Sequence, residues 1–220
     1  MTKLIVFDWD GTLMDSEARI VACMHAAIAD TGLPGLSDDA IRHIIGLGLR
    51  EALQRLYPDA SERDYHDLTR HYREHFLHLN DTPSPLFAGA EALLQKLYDA
   101  GYYLAIATGK GRQGLERALT QTGLKDYFHY SRCADETFSK PHPQMLLDIM
   151  AWLGVESSET LMIGDTEFDL QMAENAGAKS LAVTHGVHDK TRLLACNPLA
   201  CVDDLAQMQD WLNQYLMQAA

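Results

Sequence analysis

The chain has 220 residues, 47% hydrophobic and 22% charged, which excludes a disordered tract and leaves room for one substantial core plus a small second unit. Its 18 Lys and Arg against 31 Asp and Glu give a net charge of −13. That balance disfavours a broad nucleic-acid-binding face, whose affinity rests on cationic contacts, but admits a small anionic substrate if a metal or a lysine inverts the field locally.

Leu4–Trp9 is the first short run, and its opening Leu4-Ile5-Val6-Phe7 is apolar and β-prone, as in a strand buried on both faces. It runs into FDWDGT, residues 7–12, where Gly11-Thr12 breaks the run and leaves Asp8 and Asp10 at the strand's carboxyl end. An ordinary solvated turn needs only one such acid. Two this close repel each other, and they need a cation, a shared proton or a cationic side chain.

From residue 16 to 80 the pattern is helical throughout, in EARIVACMHAAIADTG, DDAIRHIIG, REALQRLY and ERDYHDLTRHYREHFLHL, with Gly and Pro between and no strand evident. Such a block inserted after the first strand predicts a separate all-helical domain over 16–84. Its ends, near Met14–Ser16 and in NDTPSPLF (80–87), are natural hinges. Within it, IIGLGLREAL (44–53) puts Gly46 and Gly48 in a turn and Arg50 at a new helix start. An arginine there suits a substrate carboxylate or second phosphate, against the plainer reading of a solvated helix arginine. His71, His75 and His78 recur at helical spacing but lack the HExxH arrangement, and no metal role is expected of them.

Beyond residue 85, helical stretches at about 89–100, 111–122, 141–153, 166–176 and 203–217 alternate with apolar runs. The clear runs are Tyr103–Ala107, Thr160–Ile163 and Ser180–Val183, with weaker ones at His129–Arg132 and Leu199–Val202. Asp203-Asp204 supplies acids at the start of the last helix. This alternation predicts right-handed crossovers and an α/β fold: a Rossmann-like parallel sheet core, residues 1–15 and 85–220, carrying the helical insert. Cys23, Cys133, Cys196 and Cys201 form no CxxC pair or zinc spacing, so free thiols in a reducing compartment are expected. No apolar run reaches membrane-spanning length and no basic-then-apolar signal opens the chain, which makes a cytoplasmic protein the expectation.

In an open parallel sheet, ligands bind beyond the carboxyl ends of the strands, near a topological switch point. Besides Asp8 and Asp10, those ends carry Thr108-Gly109-Lys110 after LAIA and Gly164-Asp165-Thr166-Glu167-Phe168-Asp169 after TLMI. Between them Lys140-Pro141 is expected to open a helix, proline suiting its first turn. Singly, these are a cap and turn, a solvated lysine and another cap. Together they supply a nucleophilic carboxylate, a second carboxylate, a hydroxyl with nearby amides, a cation of the buried type and a distant acid pair. That inventory suits phosphoryl transfer through a magnesium ion.

Asp8-x-Asp10-Gly11-Thr12, Thr108-Gly109, Lys140-Pro141 and Gly164-Asp165-x-x-x-Asp169 resemble, in order, the four motifs of the haloacid dehalogenase-like hydrolases. The helical insert sits where the phosphoglycolate phosphatase-like members carry a cap domain. Thr-Gly-Lys at 108–110 departs from the Thr-Asn-Lys of many relatives, and the second acid, Asp10, favours a phosphatase or phosphomutase over a dehalogenase. The resemblance implies that Asp8 attacks phosphorus to form an aspartyl phosphate, with Asp10 as general acid and base. It implies Mg2+ held by Asp8, Asp165 and the Asp10 backbone carbonyl, with Asp169 supporting. Thr108, Gly109 and Lys140 would hold the phosphoryl oxygens. Lys110 faces either substrate or solvent.

The expected function is therefore a magnesium-dependent phosphatase acting on a small phosphorylated metabolite such as phosphoglycolate. A sugar phosphomutase of the same superfamily is the near alternative. A receiver-like phosphoacceptor signalling protein is the distant one, disfavoured by chain length and by the helical insert. No nucleic-acid or membrane partner is expected, and the chain is expected to act as a monomer or homodimer.

Overall fold

Leu4–Phe7 forms β1, and its four side chains are buried because the strand lies inside a sheet covered on both faces. The computed structural model describes residues 2–218. After β1 the chain is helical: α1 (Glu17–Thr31), α2 (Asp38–Arg42), α3 (Leu49–Leu56) and α4 (Glu62–Glu74), the last running on into a π-helical turn at His75–Leu79. Then come α5 (Ala90–Asp99), β2 (Tyr103–Thr108), α6 (Arg112–Thr122), β3 (Tyr130–Cys133) and α7 (Gln144–Leu153). The remainder is β4 (Thr160–Gly164), α8 (Glu167–Asn175), β5 (Lys179–Val183), α9 (Lys190–Ala195), β6 (Cys201–Val202) and α10 (Leu205–Gln218).

The strands form one sheet in the order β3-β2-β1-β4-β5-β6, and every pairing is parallel. Phe7 lies opposite Ile106 of β2 and Ile163 of β4, so three strands end level and side by side. Strand order reverses between β1 and β4, which makes this the switch point where ligands enter such sheets. Ile5 and Phe7 pack toward Leu93 and Leu97 of α5, Leu115 of α6 and Leu212 of α10. Leu4 and Val6 pack the other way, against Leu146 and Ile149 of α7 and Met172 of α8.

The helices between β1 and α5 have an apolar centre of their own, built from Val21, Met24 and Ile28 of α1, Ile41 of α2, Leu53 of α3 and Leu68 of α4. The two connections to the sheet run beside each other. Asp15 N–H donates to the Pro85 carbonyl at 2.8 Å, and Phe87 N–H to the Leu13 carbonyl at 3.0 Å.

Three local expectations change. Pro141 lies outside any helix, after a cis peptide bond with Lys140, and Pro143 is the proline that directly precedes α7. Helix α9 was not anticipated, because its six residues, KTRLLA, are too few to show a period. The last strand shortens to two residues against an expected four. All four cysteines are free, and no helix among the described residues is long and apolar enough to cross a membrane.

Candidate active site

Beyond the end of β1, Asp8 meets Lys140, which arrives from the turn before α7. Lys140 Nζ lies 2.7 Å from Asp8 Oδ1 and 2.6 Å from Asp169 Oδ1, and all three side chains are buried. These two contacts use two of the three N–H donors of the ammonium and leave one for another acceptor. Asp8 Oδ2 has no partner among the described residues. Burial raises the Asp8 pKa well above the usual carboxylate range against the pull of Lys140, with Asp169 and Asp165 adding to the rise. Burial by itself would lower the Lys140 pKa, but Asp169 and Asp8 outweigh it and hold the ammonium charged.

Asp169 is oriented by the start of α8. Thr166 donates to Asp169 Oδ2 from Oγ1 at 2.7 Å and from its backbone N–H at 3.1 Å, a capping box that leaves Oδ1 to the lysine. Thr166, not Asp165, caps the helix.

Asp165 is held from two other loops. Thr12 Oγ1 donates to its Oδ1 at 2.8 Å and the Val187 N–H to its Oδ2 at 2.9 Å. Burial lifts its carboxyl to about 7, Asp169 adds to the rise, and the Val187 and Thr12 donors oppose it. A Cβ at Gly11 or Gly186 would stand 2.2 Å from Asp165 Oδ2, so only glycine lets these two loops close on the carboxylate. The Thr12 and Val187 supports were missed from sequence, since neither belongs to a spacing that names its partner.

Asp8, Asp165 and Asp169 bring carboxylate oxygens within 4.8 Å of one another. One lysine against three buried carboxylates leaves negative charge uncompensated, a costly arrangement in a water-poor interior. The unpartnered Asp8 Oδ2 and the oxygen-only donor set fit a hard divalent cation such as magnesium.

Asp10 stands apart from this cluster. Its Oδ1 accepts from Ser16 Oγ at 2.6 Å and from Lys110 Nζ at 2.9 Å. Lys110 thus faces inward, with its Nζ also 4.4 Å from the centre of the Phe76 ring. Thr108 Oγ1 accepts the Lys110 N–H at 3.1 Å, which leaves the hydroxyl proton available to another acceptor.

A cavity of about 300 Å³ opens between the strand ends and the helical block, with Asp8, Asp10, Thr108, Gly109 and Lys110 on its sheet side. Lys140, Asp165 and Asp169 do not line it, and Lys140 meets the site through its contact with Asp8. Arg50 lies at its edge, but Nη2 is bound to both oxygens of Glu62 at 2.5 and 2.6 Å and the guanidinium sits 4.6 Å over Tyr65. The guanidinium thus meets a protein carboxylate through Nη2 alone, in a pair whose two side chains both reach solvent. His71 Nδ1 and His75 Nε2 both face Asp30 Oδ2, at 3.3 and 2.7 Å.

The unusual glycine of Thr-Gly-Lys now has a reason. A Cβ at Gly109 would lie 2.4 Å from the Leu47 carbonyl oxygen and 2.6 Å from that of Gly46. The 46–48 turn therefore rests directly on the strand end, where Ser139 Oγ accepts the Gly48 N–H at 2.7 Å. Gly109→Ala is expected to destabilise the protein by about 1–3 kcal/mol through this clash with backbone. Urea denaturation reads it, and an unchanged midpoint would mean that the turn yields freely.

The family model described as haloacid dehalogenase-like hydrolase matches residues 5–183. The chain belongs to this family. As a haloacid dehalogenase-like hydrolase it is an enzyme, and the motif resemblance read from its sequence holds. Over 213 residues it is 36% identical to a Dickeya dadantii protein named "probable phosphatase IndB", covering 94% of this chain and 92% of that one. It is 30% identical over 217 residues to the phosphoglycolate phosphatase of Vibrio vulnificus, at 94% and 95% coverage. A solved structure of a predicted phosphoglycolate phosphatase from Haemophilus somnus is similar to it with a TM-score of 0.86. That likeness is at 25% identity and covers 95% of this chain and 97% of the other.

Proposed function

We propose that this hydrolase is a magnesium-dependent phosphatase that hydrolyses small phosphomonoesters through an aspartyl phosphate on Asp8. The observation that carries the reading is the buried Asp8–Lys140–Asp169 contact set beside Asp165, with Asp10 held separately at the same strand end. The names of the phosphatase relatives support it.

In the first step one oxygen of the Asp8 carboxylate attacks phosphorus, and the bond from phosphorus to the ester oxygen breaks with its electron pair passing to the leaving oxygen. Asp10 gives that oxygen a proton. In the second step Asp10 takes a proton from water, the water oxygen bonds to phosphorus, and the acyl-phosphate P–O bond breaks to restore Asp8. Ser16 and Lys110 fix one Asp10 oxygen, leaving Oδ2 for the proton. Thr108, the Gly109 amide and Lys140 serve the remaining phosphoryl oxygens. Asp8, Asp165 and the Asp10 carbonyl would hold magnesium, with Asp169 supporting, and the ion would offset charge on the phosphoryl group.

We further assign residues 16–84 as a cap domain over a catalytic core of 1–15 and 85–220, on the strength of its separate apolar centre and the paired connections. A cytoplasmic setting fits the four free thiols.

The metal assignment is tested by removal. Excess chelator is expected to abolish phosphate release and magnesium to restore it. Asp165→Ala should raise the magnesium concentration needed for half-maximal thermal stabilisation by about tenfold or more. Full turnover in chelator would sink the assignment.

A further inference from the structure

Phe76 reaches the cavity on the π-helical turn at His75–Leu79, a geometry that is rare and concentrates at functional sites. The turn is held from both the helical block and the sheet side. Arg19 of α1 donates from Nη2 to the Phe76 and Asn80 carbonyls at 2.8 and 2.9 Å, and Arg117 of α6 donates from Nη1 to the Leu77 carbonyl. Carbonyls at a helix end lack partners within the helix, and two guanidinium groups take them here. The Phe76 ring is fixed as well, with the Arg19 guanidinium 5.0 Å from its centre and the Tyr72 ring stacked at 5.7 Å.

The ring holds Lys110 in turn. Lys110 Nζ lies 4.4 Å over the ring centre and 2.9 Å from Asp10 Oδ1, and the Lys110 and Asp10 side chains are only 7% and 10% exposed. A lysine has a long flexible stem, so an ion pair alone leaves it several ways to meet a carboxylate. Two further features narrow the choice. A second carboxylate in place of the ring would compete with Asp10 for the ammonium, whereas the ring attracts it through its quadrupole and brings no further negative charge among the acids. Gly114 stands in the first turn of α6, where glycine is a poor helix former, and a Cβ there would lie 3.0 Å from Lys110 Cγ and 3.3 Å from Cδ. The helix forgoes propensity at the place where the lysine stem passes.

We propose that Phe76 is a positioning residue for the proton transfers of Asp10: its ring fixes the Lys110 ammonium, the ammonium holds Asp10 Oδ1, and Oδ2 is thereby aimed at the reacting oxygen. The proposal rests on the phosphatase reading and adds a residue of the helical block to its acid–base steps. In the hydrolytic step water gives a proton to Asp10 Oδ2 as its oxygen bonds to phosphorus, and the acyl-phosphate P–O bond breaks with its electron pair returning to Asp8. Phe76 acts on this step only through Lys110.

Rapid quench of the full chain with labelled acetyl phosphate and magnesium measures loading of Asp8 and hydrolysis of the phosphoprotein separately. Phe76→Leu keeps apolar bulk and removes the ring face. It should slow hydrolysis by about threefold to tenfold, while loading, whose leaving group needs little protonation, stays within about twofold. Lys110→Met should slow hydrolysis by about tenfold or more. In an Asp10→Asn background Phe76→Leu should add nothing, because the group it positions is gone. A loss of fold or of substrate binding would instead lower loading together with hydrolysis, and a thermal melt of each variant reads the fold. Hydrolysis unchanged in either single variant, loading and hydrolysis falling together in both, or the Phe76→Leu loss repeated in the Asp10→Asn background overturns the proposal and leaves the phosphatase reading in place. A parent that neither loads Asp8 nor releases phosphate removes that reading, and the proposal with it.

Discussion

Asp8→Asn is expected to abolish turnover, by on the order of 10⁴-fold or more, and to leave no phosphoprotein. The amide oxygen is a poor nucleophile, and no other carboxylate lines the cavity at that strand end in the same position. The variant should fold well, because burial and its acidic neighbours already disfavour the charged form of Asp8. Asp10→Asn makes the contrast. It keeps the nucleophile and loses the proton carrier, so ordinary esters should slow by about 10²–10⁴-fold. Acetyl phosphate, whose leaving group needs little protonation, should still load Asp8, and hydrolysis of the intermediate should then lag. Rapid quench with labelled acetyl phosphate is expected to trap more phosphoprotein in Asp10→Asn than in the parent, and none in Asp8→Asn. Equal trapping in parent and Asp10→Asn would refute the acid–base role, and a long-lived parent phosphoprotein would favour a signalling phosphoacceptor.

Lys140→Met has the second large effect, because it acts on stability and activity together. The ammonium contacts Asp8 and Asp169 in a site from which water is excluded. Removing one member of such a set leaves buried charge without a partner, at a cost of about 3–5 kcal/mol. For a chain of this size that is on the order of 10 °C in Tm. Magnesium should narrow the gap between variant and parent, since three carboxylates without their lysine attract a divalent cation more strongly. Catalysis should not recover, because the nucleophile loses the cation that orients it and the phosphoryl group loses a counter-charge. Differential scanning calorimetry with and without magnesium measures both parts. A Tm within about 2 °C of the parent in chelator would show that the lysine is not compensating buried charge.

Much of this protein can be read without coordinates. Runs such as LIVF and LAIA are apolar throughout because parallel strands are covered on both faces, and the polar residues that follow them mark the strand ends. Parallel crossovers bring all such ends to one edge of a sheet, so Asp8, Thr108 and Asp165 belong together whatever the loops do. That is why fold class and candidate residues were both legible.

What the chain order does not encode is which partner each polar atom takes. Lys110 pairs with Asp10 across 100 residues, and Thr12 with Asp165 across 153, contacts that depend on where two separate loops come to rest. Arg50 looked free for a substrate because its partner Glu62 sits on another helix, and helix–helix docking decided that pairing. The same holds for Gly109, whose reason lies in a turn some sixty residues earlier that settles on the strand end. Strand periodicity and turn chemistry are local and so are written in sequence; the pairing of charges and the shape of the cavity arise from the packing of elements against each other, and only the tertiary structure decided them.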